Sequence, residues 1–355
     1  MKKNIIFFAI FGFLISLADT KAEEMHFTLA LARNVITPAE ETVTYAVPKQ
    51  LGYFKQENLN VSYLLTDGST AVIQAVASGS ADAGYASSMN IAAAVDKGVP
   101  VKAFAGSTIK WPYYTAVREG SDIKTIADLK GKRIGVISIA SASYTDLKAN
   151  LKLAGLSEND VTIIAVGAGA RAAAAIMSNQ VDAVNSFAEN FEIMAQNGVS
   201  LRKLPRPDSI EKLFSVTLVA REDTIKNNPE KLVAFARSAF KGMIYADRYF
   251  DSALRLSFKE FPELPGSSDP SGEAAQKTAR IMKIALYEHI PDDGSDPSTW
   301  GRWQDIPRDR WQAIIQFAFD AGQITKKLDV EQIWDNSLIP QIYNFDVNDI
   351  IIKKQ

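Results

Sequence analysis

The stretch TIADLKGKRIGV (Thr125–Val136) joins a charged turn to an apolar run and separates two kinds of local structure. Asp128–Lys132 reads as a short helical turn stopped by Gly131, because glycine enters the left-handed conformation that ends helices at little steric cost. RIGVIS then reads as a strand and SASYTDLKANLKLAGL as a helix ending at Gly155, followed by VTIIAVG (strand), AGARAAAAIMSNQ (helix) and VDAVNS (strand). Strands that alternate with helices predict parallel pairing through right-handed crossovers. Lys130, Lys132 and Arg133 are expected to be solvated surface, so the stretch marks architecture and not chemistry.

The same rhythm runs N-terminal to it. HFTLALA is a strand, Thr37 and Pro38 are placed to cap and open a helix reaching Leu51, and NVSYLLT is the next strand. DGSTAVIQAVASGSADAGYAS supplies a turn, helix, turn and strand, and VKAFAGS one strand more. Ala75–Ser88 (AVASGSADAGYASS) and Ala174–Phe187 (AAIMSNQVDAVNSF) share a helix end, a polar turn, an Asp-Ala pair and a small-residue strand. Two similar α/β units in tandem are therefore expected, each bringing Ser or Asn to a strand end, where open α/β sheets bind ligands. After FSVTLVARED the chain turns helical; PEKLVAFARSAFKGMIYADRYF, GEAAQKTARIMKIALYEHI, RDRWQAIIQFAFDAGQI and VEQIWDNSLIPQIY all carry apolar residues at helical spacing.

Composition restricts the function. The 355 residues, 47% hydrophobic and 23% charged, suffice for two domains. A net charge of -2 without a Lys/Arg-rich run excludes the electrostatic footprint of a nucleic-acid binder. With no cysteine there is no thiol nucleophile, and a Ser-His-Asp site would need His26 or His289, both expected at the surface or in packing. Asp292, Asp293 and Asp296 read as a solvated loop, and no metal or cofactor is expected. Gly167-Ala168-Gly169 follows a strand and opens a helix but lacks the third glycine of a dinucleotide fingerprint, which leaves an anion-binding helix start open. No enzymatic function is expected.

MKKNIIFFAIFGFLISLADTKAEE has Lys2 and Lys3, an apolar run from Ile5 to Leu17, and small residues Thr20 and Ala22 before a cleavage point. Residues 1–22 read as a secretory signal peptide, and the absence of cysteine leaves no thiol for a lipid anchor, so a soluble periplasmic protein is expected.

GYFKQENLNV, SGSADAG, KGVPVKAFAG, TIADLKGKRIGV and NQVDAV, in this order and spacing, resemble the substrate-binding proteins of ABC importers in the nitrate, sulfonate, taurine and thiamin-pyrimidine-precursor (SsuA/NMT1-like) family. The likeness runs over nearly all of the mature chain. It implies an α/β type II periplasmic binding fold: two lobes, each with a mixed, mainly parallel sheet, a ligand cleft between them, and a helical C-terminal extension. Lobe 1 would comprise residues 23–111 and 216–355, and lobe 2 residues 112–215. The resemblance further implies a monomer that closes on a small organic anion of the sulfonate, taurine, nitrate or carboxylate class and docks on an ABC permease and, through it, its ATPase. A pyrimidine or other heteroaromatic ligand, or a sensing role beside a membrane receptor, remains open. A relative of the family is a pyrimidine synthase that uses cysteine and histidine, and cysteine is missing here. The pyrimidine-precursor branch carries an Asp-Trp pair and a nearby His after its first strand, where this chain reads LARNVITPAEE.

Candidate ligand-binding residues follow from strand and helix ends. Ser87 and Ser88 end a strand, either to hold an oxyanion or to cap their own helix. Ser141, Ser143 and Tyr144 lie between strand and helix in the second unit, where free N–H groups face a ligand. Asn185 and Ser186 occupy the equivalent strand end, and Gly68, Ser69 and Thr70 the first helix start. Arg33 and Arg171 would pair with an anion through a planar guanidinium or lie on the surface. Trp111 and Tyr113 stand near the crossing between units, as an aromatic wall or as hinge packing. Glu40 and Glu41 favour an amine, or simply begin a helix.

Overall fold

In the computed structural model, which describes residues 24–207, 210, 212–291 and 295–351, ten strands form two sheets. The strands are β1 (Met25–Leu31), β2 (Leu59–Leu65), β3 (Ala83–Ser87), β4 (Val101–Gly106), β5 (Tyr113–Arg118), β6 (Arg133–Val136), β7 (Thr162–Ala165), β8 (Ala183–Phe187), β9 (Leu201–Lys203) and β10 (Val216–Arg221). Their orders are β2-β1-β3-β10-β4 and β7-β6-β8-β5-β9. In the first sheet β1 runs parallel to β2 and β3, while β10 is antiparallel to β3 and β4; in the second β6 runs parallel to β7 and β8, while β5 is antiparallel to β8 and β9. This is the two-lobe α/β architecture expected from the alternating pattern. The signal-peptide segment and Asp292 and Asp293 lie outside the described residues.

The helices are α1 (Val47–Gln50), α2 (Tyr53–Gln56), α3 (Ser69–Ala77), α4 (Ser88–Asp96), α5 (Ala142–Leu153), α6 (Ala170–Met177), α7 (Ala188–Gln196), α8 (Glu222–Asn227), α9 (Glu230–Arg248), α10 (Phe250–Glu260), α11 (Glu273–His289), α12 (Arg308–Asp320) and the short α13 (Val330–Ile333), α14 (Ile339–Ile342) and α15 (Asn348–Ile351). VEQIWDNSLIPQIY is therefore two short helices and not one. Trp334 forms a β-bridge with Ala103, and Pro340, which has no N–H to donate, sits in the first turn of α14.

The turn in the Thr125–Val136 stretch is a 3-10 turn, Ala127–Leu129, and Gly131 has φ 74°. Asp128 organises it by accepting the N–H groups of Lys124 and Thr125 at 2.9 and 2.8 Å. Arg133 is not simply solvated: its Nη2 lies 2.7 Å from Asp182 Oδ1. The Asp-Ala repeat explains the pairing. Asp82 Oδ2 accepts the Thr28 N–H at 2.7 Å and Asp182 Oδ2 the Arg133 N–H at 2.9 Å, while each Asp N–H returns to the carbonyl of the same residue at 2.9 and 2.8 Å. One carboxylate thus ties the start of β3 or β8 to the neighbouring parallel strand in each lobe.

The lobes differ in their cores. The first sheet shares one continuous core with α9, α11 and α12, in which Phe27 stacks on Phe235 at 4.6 Å and Phe214 meets Trp311 edge-on at 4.7 Å. The second sheet is covered by two smaller clusters, one around Ala172, Ile176, Val184 and Met194, the other around Val117, Leu129, Ile134 and Leu147.

Candidate functional site

The helix expected from Pro38 begins instead at Glu40, and Thr42–Ala46 is wound as a π-helix, a rare form that often marks functional sites. Thr37 is not its cap. Glu41 reaches back to accept the Thr37 N–H at 2.8 Å, which turns the loop after β1 so that Arg33 lies over both glutamates. Arg33 Nη2 is 3.1 Å from Glu40 Oε1, its Nη1 is 3.2 Å from Glu41 Oε2, and Nη1 also donates to Thr37 Oγ1 at 2.6 Å. Beside them α11 delivers its last two residues. His289 Nδ1 lies 2.7 Å from the Ala285 carbonyl and must donate there, so Nε2 faces Glu40 Oε2 at 3.9 Å without a hydrogen-bond partner.

Arg33, Glu40, Glu288 and His289 line an interlobe chamber of about 70 Å³, together with Ser69, Tyr85, Thr108 and Tyr113, and, from lobe 2, Ser141, Ser143, Phe187 and Glu189. Past Ile137 and Phe187 it opens into a vestibule of about 510 Å³ between the loop after β1, α7 and α11.

The chamber is rich in carboxylates. Glu40, Glu189 and Glu288 line it and Glu41 lies beneath Arg33, the single guanidinium among them. Burial pushes Glu189 up to about 7 and also raises Glu41 and Glu288. Burial would raise Glu40 as well, but His289 and Arg33 outweigh it and hold this carboxyl below its ordinary range. Among the described residues, Glu288 Oε2 and His289 Nε2 are buried without hydrogen-bond partners, while Glu41 Oε2 is held in the Arg33 ion pair. Such a chamber offers acceptors and negative charge, so it suits a ligand that brings N–H donors or positive charge.

The lobes touch on both sides of the crevice. Ser138 Oγ donates to the Asp67 carbonyl at 2.7 Å, Thr70 N–H to Ala140 O at 3.2 Å, and Asn90 Nδ2 to Thr145 Oγ1 at 3.1 Å. Across the vestibule, Gln196 Nε2 donates to the Lys277 carbonyl at 3.1 Å and Arg280 pairs with Glu192 at 3.2 Å.

Of the residues picked from the sequence, Arg33, Ser69, Tyr113, Ser141 and Ser143 line the chamber. Gly68 and Thr70 meet lobe 2 directly; a Cβ on Gly68, which has φ 135°, would stand 2.6 Å from Ala140 O. Ser87 donates its N–H to Ser69 Oγ at 3.1 Å and Ser88 Oγ donates to Phe214 O at 3.1 Å, both inside lobe 1. Trp111 packs edge-on against Tyr113 and Phe317 at the crossing, and its Nε1 donates to Asp146 Oδ1 at 3.0 Å. Asn185 Nδ2 donates to Asp146 Oδ2 and Thr115 Oγ1, each at 2.9 Å, and Ser186 Oγ accepts from Asn190 at 2.6 Å. Tyr144 reaches away to Glu158, and Arg171 is exposed above Gly167.

His289, expected at the surface or in packing, is 2% exposed and lines the chamber. The signal was present, since Met282, Ala285, Leu286 and His289 share the buried face of α11. Glu189 and Glu288 carried no local motif. Extending the internal repeat would have flagged Glu189, because it stands where lobe 1 has the buried Met89.

Fold and site together define a two-lobe protein of the periplasmic-binding type with a polar crevice between the lobes. The NMT1/THI5 like family model matches residues 40–249, more than half of the chain, and the chain belongs to that family. It is 23% identical over 307 residues to the riboflavin-binding protein RibY of Chloroflexus aurantiacus, an alignment covering 85% of this chain and 84% of that one. It is 26% identical over 201 residues to the 4-amino-5-hydroxymethyl-2-methylpyrimidine phosphate synthase of Schizosaccharomyces pombe, covering 53% and 56% of the two chains. Among solved structures, the alkanesulfonate-binding protein SsuA of Xanthomonas axonopodis pv. citri superposes with a TM-score of 0.62 at 18% identity, over 88% of this chain and 99% of that one. The expectation of no enzymatic function is corrected by the synthase relative. It rested on the lack of cysteine and on a surface or packing role for His289, and the chamber holds that histidine beside titratable carboxylates.

Proposed function

We propose that the protein is the periplasmic solute-binding component of an ABC importer that captures a nitrogen base, a neutral or cationic heterocycle or amine, by lobe closure. The observation that carries this reading is a chamber lined by three carboxyl groups, Glu40, Glu189 and Glu288, whose lining guanidinium, Arg33, is already engaged by Glu40 and Glu41. A sulfonate or carboxylate, the class named from the sequence, would meet these carboxylates as like charge. A ligand N–H placed on Glu40 would add to the hydrogen bond that this carboxylate already takes from Arg33. Relatives named for a flavin and for a pyrimidine are consistent with a nitrogen heterocycle. Contacts from both lobes then favour the closed state, with hinges at the crossings 111–115 and 214–218, and the closed monomer docks on the permease and its ATPase.

A catalytic reading has its own support in the facing His289 and Glu40 and in a Glu189 carboxyl that titrates near neutrality. Thermal unfolding of the purified protein against aminopyrimidines, flavins, amines, sulfonates and nitrate tests the ligand class, because a compound that binds only the native state raises the midpoint. Incubating a hundredfold excess of the stabilising compound with the protein separates binder from enzyme. A binder returns it unchanged, whereas an enzyme converts the excess.

A further inference from the structure

The two compartments of the crevice differ in size and in chemistry. The chamber offers about 70 Å³, room for a head group, and the vestibule about 510 Å³. Ala32, Arg33, Ile137, Phe187 and Glu189 belong to the walls of both, so one molecule can occupy them at once. Carboxylates and an imidazole line the first, whereas Ile36, Pro38, Phe187, Ile193, Leu264 and Ile281 dominate the second. On its lip Val35 is 56% exposed, an aliphatic side chain that the protein's own core leaves in water.

Building on the nitrogen-base reading above, we propose that the ligand is amphipathic: its base sits on Glu40, Glu189 and His289, and an apolar substituent of several carbons lies in the vestibule against Phe187, Ile193 and Ile281. The chamber selects the head, and the vestibule sets affinity and rejects the bare head group. The loop after β1, α7, the 263–265 loop and α11 all contribute to this second subsite, and α11 reaches both compartments. Burying one methylene in an apolar wall tightens binding about threefold to fourfold.

The probes are 4-amino-2-methylpyrimidines carrying 5-alkyl groups from methyl to hexyl, titrated calorimetrically into the full protein. Affinity is expected to rise at least twofold per methylene as far as butyl, and roughly twentyfold or more from methyl to hexyl. Ile193→Trp, which fills the vestibule from a half-buried position, should abolish that gain. Val35→Asp, at an exposed site that does not threaten folding, should reduce the gain by itself. A flat series in a protein that binds the methyl compound, or a full gain in Val35→Asp and Ile193→Trp, overturns the subsite and leaves the nitrogen-base reading intact. If no pyrimidine of the series binds while small sulfonates do, the base reading falls first and the subsite with it.

Discussion

The two lobes repeat one sheet and differ in what backs it. Lobe 1 rests on α9, α11 and α12 in a single core, and it supplies Arg33, Glu40, Glu41, Glu288 and His289. Lobe 2 is held by two small clusters and supplies Glu189 with the serines that start α5. Buried charges persist only where neighbouring groups hold them in place. The difference sets the lobes apart: the thick lobe is a charged floor, and the thin lobe is the cover that faces it across the chamber.

The sharpest way to break this contrast is at the floor. Arg33→Ala leaves Glu40 and Glu41 buried without their cation and is expected to cost about 3–5 kcal/mol in urea unfolding at pH 7.5. Part of that loss should return as the pH falls and the glutamates take up protons. Next comes the cover's attachment. Asp146 accepts from Trp111, Asn150 and Asn185, and burial raises its carboxyl to about 6. Asp146→Ala orphans these donors and should cost about 2–4 kcal/mol. A loss as small as that of a surface substitution would mean that lobe 2 needs no such anchor.

Gly68→Ala acts between the lobes and not within either. Its methyl group collides with Ala140 O, so solution scattering should report a wider, open molecule and ligand affinity should fall about tenfold or more. An unchanged radius of gyration would show that lobe contact does not depend on this approach. The smallest effect is a pH slope. Because burial raises Glu189 to about 7, its contribution to stability is complete below the unfolded carboxyl range near 4 and is lost as the pH rises through about 7. A cationic ligand prefers the ionised carboxylate, so its affinity should increase with pH by up to about tenfold per unit below 7. Glu189→Gln is expected to flatten both slopes.

Much of the fold was legible because strand and helix periodicities are local. The Gly131 stop, the Gly155 helix end and the Asp-Ala repeat all lie within a few residues of the elements that they define. The repeat even contained the interstrand device of Asp82 and Asp182, although not its partners Thr28 and Arg133, which are brought in by sheet register. The site was less legible, because its charges are long-range company. Arg33 and Glu40 are seven residues apart, but His289 comes from the far end of the chain, and only the packing of α11 on lobe 1 brings it to Glu40. Strand-end serines and Asn185 fitted the local rule for ligand contacts, yet the structure directs Ser88 and Asn185 to their own lobes' backbone and side chains. Trp334 was hidden for a similar reason, since its helical spacing gives way to a bridge with Ala103 formed only in the folded sheet.

Two flat molecules of the same shape and opposite charge test whether the chamber selects positive charge and N–H donors over anions. Calorimetric titration of the purified protein with benzamidine and with benzoate at pH 7.5 should give binding of benzamidine at least about tenfold tighter, with the preference lost in Glu40→Gln combined with Glu189→Gln. Tighter binding of benzoate, with affinity that survives the loss of both glutamates, would contradict the account and return the site to the anion class.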